Sequence, residues 1–208
     1  MLKEFFLNMR KPKGIGGSIM LWSMNLGHSS MAKWGLKYLN VKNNDNILDI
    51  GCGGGVNISR LLRKATNLKL FGLDYSESSV KKSIKHNKKA IDKKQCEITQ
   101  GSVSNIPYNE ATFDIVTAFE TTYFWPDIKN DTKEILRVLK PGGTFFICNG
   151  TVLLDNEKPP HEYFTKILDL KIYSPKDFNN ILTESGFIDI KINLSENKKL
   201  ICIIARKE

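Results

Sequence analysis

Short apolar runs alternate with helical patterns along most of the chain. Ile47, Leu48 and Ile50 form a buried-strand run, after which Ile58, Leu61, Leu62 and Ala65 recur at helical spacing. Leu70, Phe71 and Leu73 predict a second strand ending at Asp74. Ser76 is a good N-cap for the next helix, on which Val80, Ile84 and Ile91 share one face. Residues 96–99 predict a third strand and residues 113–118 a fourth. Asp131 and Glu134 have capping-box spacing ahead of Ile135, Leu136 and Leu139, and Lys140, Pro141, Gly142 and Gly143 stop that helix. Residues 144–148 are the fifth strand, residues 149–173 are irregular, and residues 175–185 are a helix closed by Gly186. Ile188, Ile190 and Ile192 then alternate with polar positions. After a short turn comes the run from 200 to 205, so these two strands are antiparallel, because a parallel return needs a long crossover. The alternation predicts an α/β fold: a mostly parallel sheet with helices on its faces, ending in an antiparallel hairpin.

The 208 residues suit one domain with a small appendage, and 41% hydrophobic residues suffice for a core. No run approaches the length of a membrane span, and the N-terminus lacks the pattern of a secretory signal, so a cytoplasmic protein is expected. Cys52, Cys96, Cys148 and Cys202 form no CxxC pair, and His28, His86 and His161 have no ligand-like spacing. Neither a metal site nor a disulfide framework is expected. The net charge of +9 includes seven lysines between positions 81 and 94. With no aromatic residues interleaved to stack bases, these read as a solvated helix face in preference to a nucleic-acid stripe.

Candidate chemistry centres on Gly51, Gly53, Gly54 and Gly55, which lie directly between a strand and a helix. Glycines there admit positive φ and let a ligand approach backbone N–H groups at a helix start. Asp74, at the end of the second strand, is placed to accept hydrogen bonds from two ribose hydroxyls, so the pair points to a nucleoside-containing ligand. The third glycine of the dinucleotide fingerprint falls on Val56, which disfavours a dehydrogenase.

The pattern Gly51-x-Gly53-x-Gly55, the segment 72–76 (GLDYS), the strand opening 113–116 (FDIV) and the turn 136–143 (LRVLKPGG) together resemble class I S-adenosylmethionine-dependent methyltransferases, closest to their small-molecule, quinone-biosynthesis-like branch. The resemblance runs from about Leu39 to the C-terminus. It implies a Rossmann-like, doubly wound sheet with an antiparallel final strand over residues 41–208, preceded by a helical cap or lid in residues 1–40. It further implies that Asp49, Gly51, Gly53 and Gly55 hold the methionine part of S-adenosyl-L-methionine. Asp74 then takes the ribose hydroxyls, Tyr75 packs on the adenine, and Ser102 and Val103 border its edge. Many relatives carry aspartate at the position of Ser102. Phe119 lines the path to the methyl group, and the product is S-adenosyl-L-homocysteine.

Methyl transfer is an in-line displacement that needs alignment and exclusion of water, with a base only when the acceptor carries a proton. The candidates for acceptor handling are Glu120, Tyr123 and His28. Residues 14–39, rich in Met and Trp, are either core or a hinged lid forming an apolar pocket, and residues 149–173, with His161, Tyr163 and Phe164, form the opposite wall. A small-molecule acceptor is favoured over nucleic acid, since residues 119–123 (FETTY) lack the Asn/Asp-Pro-Pro-Tyr/Phe pattern of base-amine methylation. A noncatalytic cofactor-binding scaffold is the remaining alternative.

Overall fold

The computed structural model describes residues 29–154, 165 and 169–208. The candidate His28, the whole of the cap segment before Ser29, and His161, Tyr163 and Phe164 lie outside the described residues. The elements run α1 (Ser29–Gly35), β1 (Asn46–Ile50), α2 (Val56–Leu61), β2 (Lys69–Asp74), α3 (Glu77–His86), α4 (Lys88–Asp92) and β3 (Cys96–Gln100). They continue with β4 (Phe113–Phe119), a 3-10 turn (Thr122–Phe124), α5 (Ile128–Val138), β5 (Leu139–Asn149), α6 (Pro175–Glu184), β6 (Phe187–Leu194) and β7 (Ile201–Lys207). The seven strands form one sheet in the order β3-β2-β1-β4-β5-β7-β6. Strands β1 to β5 pair in parallel. β7 is antiparallel to both β5 and β6, so the expected hairpin is present and its second strand is inserted beside β5.

Alternation along the central strands separates two cores. Leu48 and Ile50 of β1 face a cluster with Phe113, Phe145, Ile135 and Phe178, under α5 and α6. Ile47 faces a second cluster with Ile58, Leu61, Cys96, Phe146 and Cys148, under α1 and α2. Burying a Leu, Ile or Phe side chain stabilises by roughly 1.5–3 kcal/mol, so each of these fully buried positions contributes on that order. The described part of the Met- and Trp-rich segment belongs to the second cluster. Met31, Ala32, Leu36 and Leu39 are buried there, and Trp34 packs edge-on to Tyr38 with ring centroids 5.4 Å apart.

Three local expectations change. The helix before the fifth strand starts earlier than its capping-box spacing predicts: Asp127 is the N-cap and accepts from Asn130 N–H, while Asp131 is buried one turn in. The turn at Pro141, Gly142 and Gly143 does not precede β5 but lies inside it, with the register against β4 shifting between Phe113 and Ile115. Finally, the helix expected to carry Val80, Ile84 and Ile91 on one face breaks at Asn87. The Asn87 side-chain amide donates to the carbonyls of Gly55 (3.0 Å) and Ser83 (3.1 Å), a tertiary bond that ends α3 and leaves Ile84 42% exposed.

Candidate active site

The strand-to-helix turn after β1 is shaped by its glycines. Gly51, Gly53 and Gly55 all have positive φ, +66°, +52° and +77°, which a side chain would strain. A Cβ at Gly51 would also run into the Thr121 hydroxyl, and one at Gly55 into Asn87 and Ser83. The turn is pinned to the second strand by Gly51 N–H and Cys52 N–H, which donate to the Leu73 carbonyl at 2.7 and 3.1 Å.

Asp74 is the hinge pin of this arrangement. One carboxylate oxygen accepts from Gly53 N–H at 2.8 Å and the other from Ser76 N–H at 2.9 Å. Burial pushes the carboxyl upward, and these two backbone donors act against that shift. Asp49 lies deeper, 2% exposed, and accepts from the Thr117 hydroxyl of β4 at 2.7 Å. Desolvation raises its carboxyl to about 7; the Thr117 hydrogen bond opposes this and the charge of Asp74 adds to it. Two carboxyl groups thus flank the glycine turn, an arrangement suited to a ligand carrying both hydroxyl and cationic groups.

Beside the turn is a cleft of about 280 Å³ lined in part by Gly51, Asp74, Tyr75, Ser102, Val103 and Trp125. This is near the lower end of the ~300–1,000 Å³ typical of ligand pockets, a size for the nucleoside part of a cofactor. Tyr75 stands at the rim, 40% exposed, and Val103 is buried in the wall. The loop bearing Ser102 and Val103 is held onto α5. Arg137 donates to the carbonyls of Tyr108 (2.9 Å) and Ile106 (3.0 Å), Glu134 accepts from Ile106 N–H (3.0 Å), and Ser104 donates to Asp131 (2.6 Å). Thr121, Phe124 and Trp125 complete the wall. Sequence reasoning passed over all three, although a cluster of polar and aromatic residues directly after a strand was the available signal. The Trp125 indole donates to Thr121 at 3.3 Å and stacks on Phe145 with an interplanar angle of 15°.

Glu120 and Tyr123, expected to handle the acceptor, come together at the carboxyl ends of β4 and β5. Glu120 has φ +57°, which turns the chain out of the sheet while its N–H still donates to Cys148 at 3.0 Å. Its carboxylate accepts from Gly150 N–H and from the Tyr123 hydroxyl, the latter at 3.2 Å. Thr151 N–H donates to the same hydroxyl at 3.1 Å. Burial, with the charge of Glu120 second, pushes the Tyr123 phenol well above its ordinary range, so it stays protonated and donates. Asn149 reaches Thr122 through its amide at 2.9 Å, and its carbonyl oxygen is buried without a partner among the described residues. Phe119 is elsewhere: it packs in the second core, its ring tilted against Phe146 at 5.4 Å. Gly53 and Gly55 likewise do not line the cleft. Gly53 holds Asp74, and Gly55 caps α2.

A family model described as a methyltransferase domain matches residues 48–147, the span from β1 through most of β5. Sterol 24-C-methyltransferase of Kluyveromyces lactis is 30% identical over 165 residues, covering 76% of this chain and 44% of that enzyme. The fold matches a chain of the complex between the Haloferax volcanii Trm112 methyltransferase activator and a methyltransferase, with TM-score 0.76 and 22% identity over 90% of this chain and 93% of that one. It also matches geranyl diphosphate C-methyltransferase of Streptomyces coelicolor A3(2), solved with geranyl diphosphate and S-adenosyl-L-homocysteine. That TM-score is 0.73 at 14% identity, over 87% of this chain and 81% of the enzyme. Residues 48–147 are a methyltransferase domain, and the chain has the fold of S-adenosylmethionine-dependent methyltransferases. S-adenosyl-L-methionine is the cofactor of this family, and the clasped Asp74, the glycine turn and the apolar cleft wall fit it. The chain spans less than half the length of the sterol methyltransferases it matches.

Proposed function

We propose that this protein transfers a methyl group from S-adenosyl-L-methionine to a small, largely apolar acceptor. The observation that carries the reading is the buried Asp74 carboxylate, gripped from both sides by backbone amides of the turn and of its own loop at the mouth of an apolar cleft. The cofactor supplies an electrophilic methyl group on a sulfonium. The chain's own residues then bind, orient and exclude water. Asp74 receives the ribose hydroxyls, Tyr75 and Val103 sandwich the base, Ser102 meets its edge, and Asp49 and the glycine turn hold the methionine end. The buried Phe119 acts from behind, by supporting the strand end from which Glu120 projects.

In this reading Glu120 accepts a proton from the acceptor where one is lost, and Tyr123 is a positioning residue that fixes the carboxylate together with Gly150 N–H. His28 is proposed as a further acceptor-side group. The apolar character of the acceptor is supported by the relatives, which include sterol methyltransferases and a geranyl diphosphate methyltransferase. It is supported too by the Met- and Trp-rich sequence leading into α1. Cys52, Cys96, Cys148 and Cys202 are all free and buried, which suits the reducing cytoplasm.

Calorimetric titration with S-adenosyl-L-homocysteine, NAD and NADP tests the first step. The expected result is binding of S-adenosyl-L-homocysteine alone, weakened on the order of 10- to 100-fold in Asp74→Asn, because a hydrogen bond to a charged group contributes roughly 1.5–3 kcal/mol. A folded protein that ignores S-adenosyl-L-homocysteine overturns the reading.

A further inference from the structure

The positive charge of the chain is concentrated in one place. Eleven lysines and arginines but only three acidic residues fall between positions 56 and 95, so this fifth of the sequence carries +8 of the total +9. Apart from Lys69 and Asp74 of β2, these residues belong to α2, α3, α4 and their connections, the layer on one side of the sheet. On the other side, α5 and α6 balance four basic residues, Lys129, Lys133, Arg137 and Lys176, against four acidic ones, Asp131, Glu134, Asp177 and Glu184.

The three acidic residues of the basic layer neutralise little of it. Asp74 is turned into the cleft, Glu77 pairs with Lys81 at 2.5 Å, and Asp92 pairs with Lys88 at 2.9 Å. Between α2 and the α3–α4 junction is an open groove of about 620 Å³ whose walls include Arg63, Lys85, His86, Lys88 and Lys89. The His86 imidazole is pushed below its ordinary range, first by burial and then by Arg60, Arg63 and Lys82, which marks how densely cations crowd this surface. S-adenosyl-L-methionine does not explain the charge, since its sulfonium is itself positive and its candidate cleft is lined by Asp74.

We infer that the outer face of α2, α3 and α4 docks the protein onto an anionic lipid bilayer. Two features favour lipid over RNA. No Phe, Tyr or Trp side chain of residues 56–95 stands on this face: Phe71 packs against Tyr108 and Phe113, and Tyr75 belongs to the cleft rim, which leaves His86 as the one aromatic ring there among the described residues. Instead Ile84 stands exposed among Lys81, Lys85 and Lys88, the mixture that places cations at headgroups and an aliphatic side chain at the acyl boundary. The layer also borders α1, because Arg60 donates to the Ser29 hydroxyl at 2.8 Å and Lys64 to the Leu36 carbonyl at 2.9 Å. Among the described residues no helix is long and apolar enough to cross a membrane. Surface docking brings the cleft to an apolar acceptor, and to that extent the inference rests on the acceptor proposed above.

Co-sedimentation of the full chain with vesicles tests it without turnover. Phosphatidylcholine vesicles are compared with vesicles containing about 30% phosphatidylserine at about 0.15 M salt, where unlike charges are screened beyond ~8 Å. Binding to the anionic vesicles alone is expected. The triple variant Arg63→Glu, Lys85→Glu, Lys89→Glu is expected to lose binding on the order of a hundredfold, because each basic residue at an anionic surface contributes roughly a fivefold factor. Ile84→Ser is expected to lose severalfold. The affinity of the triple variant for S-adenosyl-L-homocysteine is expected to stay unchanged, which separates failure of the docking surface from failure of the cofactor site. Equal binding to both vesicle types, no binding to either, or an unaltered triple variant overturns the inference. So does salt-sensitive binding of a single-stranded RNA oligonucleotide that the triple variant loses while vesicle binding persists.

Discussion

The glycine turn beside the cleft and the neighbouring cluster around Glu120, the two sides of the proposed active site, are built from different materials. On the cofactor side, the contacts that set the geometry are backbone amides: Gly53 and Ser76 N–H on Asp74, and Gly51 and Cys52 N–H on Leu73. On the side proposed for the acceptor, side-chain pairs, Tyr123 with Glu120 and Asn149 with Thr122, join the backbone amides of Gly150 and Thr151. A backbone-built wall admits little variation, since its positive φ values and close approaches leave no room for a Cβ. A wall built from side chains on strand ends can be re-lined by substitution without disturbing the sheet. The contrast explains how one fold keeps one cofactor while its members differ in acceptor.

The contrast can be broken most strongly on the acceptor side. Glu120→Gln is expected to lower turnover by about 100-fold or more, the range for losing a general base, while affinity for S-adenosyl-L-homocysteine stays as it was. The check is release of S-adenosyl-L-homocysteine during incubation with a lipid extract, alongside calorimetric binding. Unchanged turnover removes Glu120 from the mechanism.

Gly51→Ala attacks the other wall. The alanine has to adopt φ +66° and meet the Thr121 hydroxyl, so cofactor affinity is expected to fall by about tenfold or more, with a lower melting temperature as well. Unaltered affinity would show that the turn tolerates a side chain and that its shape is not what selects the cofactor.

A smaller effect sharpens the comparison through protonation. Asp49 has its carboxyl raised to about 7 in the fold, so the native state holds a proton that the unfolded chain gives up near 4. Native Asp49 therefore costs nothing below about pH 4. The cost grows as pH rises through the window from about 4 to 7 and is complete above it. Asp49→Asn is expected to raise the melting temperature of cofactor-free protein by a few degrees at pH 8, with the gain vanishing near pH 4. A gain that is largest at low pH would reverse the assignment. In the proposed binding mode the cofactor brings a cation beside Asp49, and its binding is expected to release a proton near neutral pH, measurable as a buffer-dependent binding enthalpy that Asp49→Asn abolishes.

Local chemistry made much of the glycine turn and its tie to Asp74 legible beforehand. The glycines, the strand ends and Asp74 are separated by one strand-helix-strand unit, and each feature follows from short-range rules. The acidic end of β2 and the turn after β1 are where spacing alone puts them. The acceptor wall was legible only as a pair of residues. Glu120 sits at a strand end, but its tie to Gly150 crosses 30 positions and exists because β4 pairs with β5. The break between α3 and α4 escaped helical periodicity for the same kind of reason: Asn87 is drawn to the Gly55 carbonyl, 32 positions away.

By itself, then, the sequence determined the α/β alternation, the closing antiparallel hairpin, the glycine turn and its acidic partner, because these depend on φ preferences, periodicity and nearest neighbours. Only the tertiary structure decided that β7 inserts between β5 and β6, that Thr121 and Trp125 wall the cleft, and that the lysines of α3 and α4 join Arg60 and Arg63 in one cationic face. Strand order and the merging of charges from separate helices depend on contacts across tens of residues, whose free energies become available only when the whole sheet is paired and its two cores are buried.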